Sequence, residues 1–243
     1  MSRLAKCLAA TGVGLGLVAG LALLASGPGT RLGLWHFSVG FALLRWGAQI
    51  GAVAGGLSLL ALVLSLAGQR RAVALIALVG VLVGGSAFLL PWTFGRQARS
   101  VPPIHDVTTD PDDPPAFVAL VPARQGAPNG VVYGGPAVAA LQRAGYPDLA
   151  PLDLPAPPDQ AFQRVEAAAR SLGWTVLAAQ PAEGRLEATA TTPWFGFRDD
   201  VVVRVRPRDG GSRIDVRSVS RVGRSDLGAN AARIRRFLQA VSR

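Results

Sequence analysis

Two groups of side chains in this sequence could do chemistry. The first lies in the proline-rich run 99–115 and holds His105, Asp106, Asp110, Asp112 and Asp113. The second gathers Arg217, Ser218, Ser220, Arg221, Arg224, Ser225, Asp226 and Asn230 near the end of the chain. The first could offer imidazole and carboxylate ligands to a cation, but it lacks the regular ligand spacing and central glycine of a calcium loop, so it reads as hydrogen-bonded turns. No metal or other cofactor is expected. A hydrolytic triad of His105, Asp106 and one serine would have to assemble in space, because the second group contains neither histidine nor cysteine. What the second group offers more directly is an anion site. Ser225-Asp-Leu-Gly reads as a helix start, where unpaired N–H groups attract negative charge and Arg221 and Arg224 would reinforce it. The competing reading has Asp226 cap that helix and pair with those arginines. The expected ligand-contacting set is therefore His105, Asp106, Asp110, Arg217, Ser218, Ser220, Arg221, Arg224, Ser225, Asp226 and Asn230, with no residue assigned to catalysis.

These groups need elements to position them. Residues 212–219 alternate as a strand, with Ile214, Val216 and Ser218 on one side and Asp215, Arg217 and Val219 on the other. After a glycine-punctuated connection, Leu227, Ala231, Ile234 and Phe237 recur at helical spacing. Upstream, Asp159 opens a helix whose Phe162, Val165, Ala169 and Leu172 share one face, and Gly173 ends it. Between the two helices, strands are expected at 174–180, 185–192, 200–206 and 212–219, joined by turns at 181–184 and 208–211. The order is helix, four-stranded antiparallel sheet, helix. One sheet face is apolar and should take both helices. The other carries Glu187, Thr189, Arg204, Arg206, Asp215 and Arg217 and reads as a solvated face with cross-strand ion pairs, or else as a surface for anionic headgroups or an acidic partner. Residues 116–158 are rich in proline and glycine, with one short helix at 136–143. Trp194, Phe195 and Phe197, beside Gly196, either cap a sheet edge or touch lipid or a partner.

The rest of the chain has a different chemistry. Half of its 243 residues are hydrophobic and only 16% are charged, too apolar for an ordinary soluble domain. No acid precedes Asp106. Residues 8–27, 46–67 and 72–92 are uncharged stretches, each long enough to span a hydrocarbon core of ~30 Å. The first reads as a retained helix rather than a cleaved signal peptide, being longer than a usual signal core and followed by further spans. Cys7 is the only cysteine, which excludes an intrachain disulfide; Lys6 beside it, with no apolar run before it, speaks against a lipoprotein site. Most of the net charge of +10 flanks the apolar stretches as topology signals, so no nucleic-acid partner is expected. The tight basic turn 68–71 places residues 67 and 72 on the cytoplasmic side and the C-terminal half outside, although basic residues flanking the two sides tie. Glycines at four-residue spacing, Gly12, Gly16 and Gly20, Gly51 with Gly55, and Gly80 with Gly84, permit close helix packing within the unit or in a homo-oligomer. Trp35, His36, Phe37 and Phe41 read as anchors in the outer loop.

Domain organisation follows as a three-span membrane region at 1–98, a connecting strap at 99–115 and an α+β domain at 116–243. Ile-His-Asp-Val-Thr-Thr-Asp (104–110), Ala-Gly-Tyr-Pro-Asp-Leu-Ala-Pro-Leu (144–152), Gly173-Trp174, the run 187–201 and the run 215–230 together resemble the bacterial and plastid family catalogued as domain of unknown function 1499. The resemblance covers about residues 102–241. It supplies no reaction, ligand or catalytic residue, and implies an envelope or lumenal setting. The expectation is a multi-pass protein of the bacterial inner membrane whose outer domain binds or scaffolds an anionic envelope component or protein partner. The alternative is a hydrolase-like enzyme using His105 with a serine or acidic partner.

Overall fold

The computed structural model describes residues 2–243, with the side chain of Ser2 left aside. It forms two compact units, Met1–Gln97 with Trp194–Gly196 and Ala98–Pro193 with Phe197–Arg243. Three long helices make up most of the first: α1 (Ser2–Arg31), α2 (Phe37–Ala67) and α3 (Arg71–Arg99). Each is long and apolar enough to cross a membrane. At 1.5 Å per residue, helices of about 30 residues reach ~45 Å, longer than the hydrocarbon core they would cross.

Small residues let these helices touch. Ala5 and Ala9 of α1, Ala61 of α2, and Val73 and Ala77 of α3 form one buried cluster. That cluster puts the chain start and the basic 68–71 turn at one end of the bundle. At Gly84 the backbones meet so closely that an added Cβ would lie 2.5 Å from Gly55 N and 2.8 Å from Gly51 O. Gly12, Gly16, Gly51, Gly55, Gly80 and Gly84 thus lie at close approaches within the bundle, whereas a Cβ at Gly20 would meet nothing within 4 Å. Helix α2 begins nine residues before the apolar stretch predicted for it, so Phe37 and Phe41 lie in the helix rather than in a loop. A single cation, Arg45, set the apparent limit, yet an arginine near a span end can lay its stem along the helix and reach the interface. The His36 Nδ1 caps the start, accepting from Ser38 N at 3.4 Å.

The second unit is an α+β domain. Its sheet contains six strands: β1 (Asp106–Thr108), β2 (Leu152–Leu154), β3 (Thr175–Gln180), β4 (Arg185–Thr191), β5 (Arg198–Arg208) and β6 (Gly211–Ser220). The order is β1-β6-β5-β4-β3, with β2 also on β6, and all pairs are antiparallel. Helices α4 (Gly135–Gly145), α5 (Pro158–Ser171) and α6 (Ala229–Val241) complete it. The four long strands and the two flanking helices are those the periodicity predicts. The turn into β4 needs Gly184, whose φ of 61° is left-handed and where a Cβ would strike Val205 O.

Two features depart from the expectation. First, the strap is not a mere connection: its β1 pairs with 217–219 of β6, and β2, from the proline- and glycine-rich 116–158 segment, pairs with 212–214, so six strands replace four. Three-residue strands beside prolines leave no measurable alternation in sequence. Second, the charged face of the sheet is not solvated. Glu187, Asp200 and Asp215 are fully buried and Arg217 is 3% exposed. Residues 109–134 fold over them as an irregular cover, whose Phe117 and Leu120 pack on Val202 and Val219. On the opposite face Val201, Val203, Ile214 and Val216 join Phe162 and Val165 of α5 and Ile234 and Phe237 of α6 in the main core. Burying such side chains is worth ~1.5–3 kcal/mol each.

Candidate functional site

The covered sheet face is a densely paired ionic layer, in which the buried Arg124 Nε is left without a hydrogen-bond partner among the described residues. The Asp200 carboxylate accepts from Arg124 Nη1 at 2.7 Å, from Arg221 Nε and Nη2 at 2.9 Å each, and from Thr189 Oγ1 at 2.7 Å. Burial raises its pKa, but the hydrogen bonds from Arg221, Thr189 and Arg124 outweigh that, so the group sits below the usual carboxylate range. Glu187 accepts from three successive backbone amides, Val118 and Ala119 at 3.0 Å and Leu120 at 2.8 Å, and pairs with Arg185. An arc of amides that would suit a phosphate is occupied by the protein's own carboxylate. Asp215 pairs with Arg204, Arg206 and Arg213, and Asp110 is held by Arg213 at 2.6 Å.

The predicted ligand-contacting residues divide between this layer and the α6 side of the sheet. Arg217 grips Asp106 and also donates to Pro115 O and Val131 O. On the other side Ser218 Oγ donates to Asn230 Oδ1 at 2.7 Å and accepts from Arg233 Nη1 at 3.0 Å, while Asn230 Nδ2 donates to Ser220 Oγ and to the His105 carbonyl, each at 3.0 Å. Arg233 also pairs with the buried Asp199. His105, Ser218, Ser220 and Asn230 are thus brought together, but His105 takes part through its backbone. A serine that gives its proton to an amide oxygen and receives a guanidinium N–H is not being activated as a nucleophile.

At the strand-to-helix junction the Asp226 carboxylate accepts from Gly228 N and Asn230 N, at 2.8 Å each, and its own N–H donates to the Ile104 carbonyl at 3.0 Å. The amides at the start of α6 therefore already hold an anion. Burial raises the pKa of Asp226. Ser225 Oγ accepts from Leu227 N, Arg221 has gone to Asp200 rather than to Asp226, and Arg224 is exposed. Leu227 does not continue the α6 stripe: it precedes the helix, 53% exposed, with a left-handed φ of 55°. Among the described residues no three His, Cys, Asp or Glu cluster tightly enough to hold a metal ion.

An open concavity of about 370 Å³ lies elsewhere in the domain, between α6 and the turn that follows α5. Leu172, Trp174 and Ala190 form one side, and Ala229, Arg233 and Arg236 the other. The three α6 residues fall four and three apart, on one helical stripe. Trp174 is held by stacking on Phe237, ring centroids 4.9 Å apart. Among the described residues no carboxylate lies within ion-pair distance of Arg236, whose Nε reaches only the Ala232 carbonyl at 3.3 Å. Sequence reasoning assigned no site role to Trp174, Arg233 or Arg236; Trp174 entered only through Gly173-Trp174 in the family resemblance, and the two arginines fall at helical spacing after Ala229.

No curated protein matches the chain. The model of one family does, over residues 106–241, which takes in all six strands, the ionic layer, the cover and the cleft. The chain therefore belongs to the family described as "Protein of unknown function (DUF1499)".

Proposed function

We propose that this protein is a multi-pass protein of the bacterial inner membrane, with its DUF1499 domain outside the cytoplasm as a binding module for an anionic envelope component. The observation that carries the binding reading is Arg236, a guanidinium without a carboxylate partner at the rim of an open cleft. In a domain where Asp199, Asp200, Asp215 and Glu187 are each matched to arginine, a cation left over beside a concavity is available to an incoming anion. The hydrogen bonds of Ser218 and Ser220 favour binding over bond-making, because those hydroxyls fasten β6 to α6. Orientation rests on the short Arg70-Arg71 turn, at the same bundle end as Arg3 and Lys6.

The binding reading is tested with the full chain in phosphatidylcholine nanodiscs. Vesicles containing phosphatidylglycerol should be captured in a saturable manner that added salt weakens, and pure phosphatidylcholine vesicles should not. Equal capture of both would defeat it. For orientation, an alkaline phosphatase fusion after Arg243 should be active; a stable but inactive fusion, with a fluorescent cytoplasmic reporter at the same point, would place the domain inside.

A further inference from the structure

We infer that the α6 cleft takes an anionic amphiphile: a phosphate or carboxylate head on Arg236 with an apolar body against Leu172 and Pro193, over the edges of Trp174 and Ala190. This rests on the anion-binding reading above and names its ligand class and its site. The two sides of the cleft differ in kind. Leu172, 37% exposed, and Pro193 present carbon beside the nearly buried Trp174 and Ala190, with Thr191 and Thr192 next to them, whereas α6 presents two guanidinium groups. These two are not equivalent. Arg233 is 8% exposed, its charge matched by Asp199 and its Nη1 committed to Ser218 and Asn230, so it forms a rigid wall. Arg236 lies one turn on, exposed and unmatched by any carboxylate among the described residues. A purely inorganic anion would satisfy Arg236 but leave the Leu172 and Pro193 side wetted, and a purely apolar guest would leave the cation without a partner. A molecule that is charged at one end and apolar at the other satisfies both. The volume, about 370 Å³, suits a short chain or small ring system with its head and lies within the ordinary range of small-molecule sites.

Octyl phosphate and inorganic phosphate are suitable probes, since they share the head and differ only in the body. Binding to the full chain in phosphatidylcholine nanodiscs, with empty nanodiscs subtracted, should be saturable for octyl phosphate and at least roughly tenfold weaker for inorganic phosphate, each buried methylene being worth roughly fourfold. Arg236→Gln, a surface change, should weaken octyl phosphate by roughly tenfold or more, as expected for loss of a charge-assisted contact. Arg164→Gln removes the same charge from the exposed face of α5 and should leave binding unchanged. Ala229→Leu fills the cleft without altering charge and should weaken octyl phosphate while sparing inorganic phosphate.

Several results would overturn the assignment. Equal losses in Arg236→Gln and Arg164→Gln would mean diffuse electrostatics rather than a site. Equal affinity for the two probes would remove the apolar half. Octyl phosphate without saturable binding, alongside salt-sensitive capture of phosphatidylglycerol vesicles, would sink the cleft and leave the binding module standing. Failure of both would sink both. An unchanged unfolding profile for each variant shows that a loss is not misfolding.

Discussion

Arg217 and Asp106 meet as a two-pronged ion pair, Nε to Oδ1 at 2.9 Å and Nη2 to Oδ2 at 2.7 Å, with neither side chain more than 6% exposed. The pair fastens β1 to β6 beneath the cover, and Phe117 and Tyr133 lie over the guanidinium. Asp106→Asn leaves that cation buried without its counter-charge. Chemical denaturation of the full chain in detergent should show a loss of ~3–5 kcal/mol, whereas Asp106→Asn combined with Arg217→Met should recover part of it.

Asp200 makes the domain sensitive to acid. Its folded pKa lies below the ordinary carboxylate value, so its contribution is present above ~4 and is lost as pH falls through the folded value. The unfolding midpoint of the wild type should fall as pH drops below ~4. Asp200→Asn should be less stable at neutral pH and show a shallower acid decline. A parallel decline in both proteins would assign the acid sensitivity to other carboxylates.

At the alkaline end Tyr146 is the group to watch. Its ring is buried in the core, its hydroxyl has no hydrogen-bond partner among the described residues, and burial with the nearby Asp226 charge pushes its pKa up to about 12. The unfolded chain releases this proton near pH 10 while the folded chain retains it, so stability is lost as pH rises from ~10 towards the folded value. Tyr146→Phe should flatten that decline as followed by thermal unfolding. It should cost little at neutral pH, because the removed hydroxyl is unpaired.

Glu187 holds the cover down. Glu187→Gln keeps one carbonyl oxygen but loses the second acceptor and the charge that Arg185 and the amides of 118–120 share. Amide hydrogen exchange at 118–120 should quicken by at least ~tenfold, as expected for the loss of more than ~1 kcal/mol of local stability. Exchange in the α5 and α6 core should change much less.

In the helical unit two neighbouring glycines give a paired test. A Cβ at Gly84 meets the backbone of α2, whereas a Cβ at Gly85 has nothing within 4 Å. Gly84→Ala should lower the thermal midpoint of helical circular dichroism, a cost of ~1–3 kcal/mol for overpacking. Gly85→Ala should leave it unchanged or raise it slightly.

The parts of the fold legible in sequence were those whose signal is periodic. The face of α5 carrying Phe162 and Val165 and the alternation of β5 and β6 repeat often enough to be read, and both lie where periodicity puts them. The six-stranded sheet was not legible, because Asp106-Val-Thr is too short to alternate and gains its partners only from a strand far along the chain. The cover was illegible for a related reason. Alternating charges on β4, β5 and β6 look the same whether water or residues 109–134 lie over them. What tells the two apart is that Glu187 points at backbone amides, which leave no mark on residue identity. Leu227 was misplaced because its spacing from Ala231 fits a helix, while the cap by Asp226 delays the helix start. The cleft lay outside the polar clusters, since Trp174 and Arg236 are distant in sequence.

The pairing of β1 with β6 has a consequence for the order of events during synthesis. Asp106 leaves the ribosome 111 residues before the arginine it must join, and the Ile104 carbonyl waits still longer for the Asp226 amide. Domains rich in such distant pairings fold slowly, because loop closure precedes any return from the contacts. The strap therefore stays without its β6 partners until that strand has emerged, and until then the cover has only its contacts to Glu187 of β4 and Asp200 of β5. A nascent chain arrested before residue 211 should expose 109–134 to protease, and one extended past 230 should protect it.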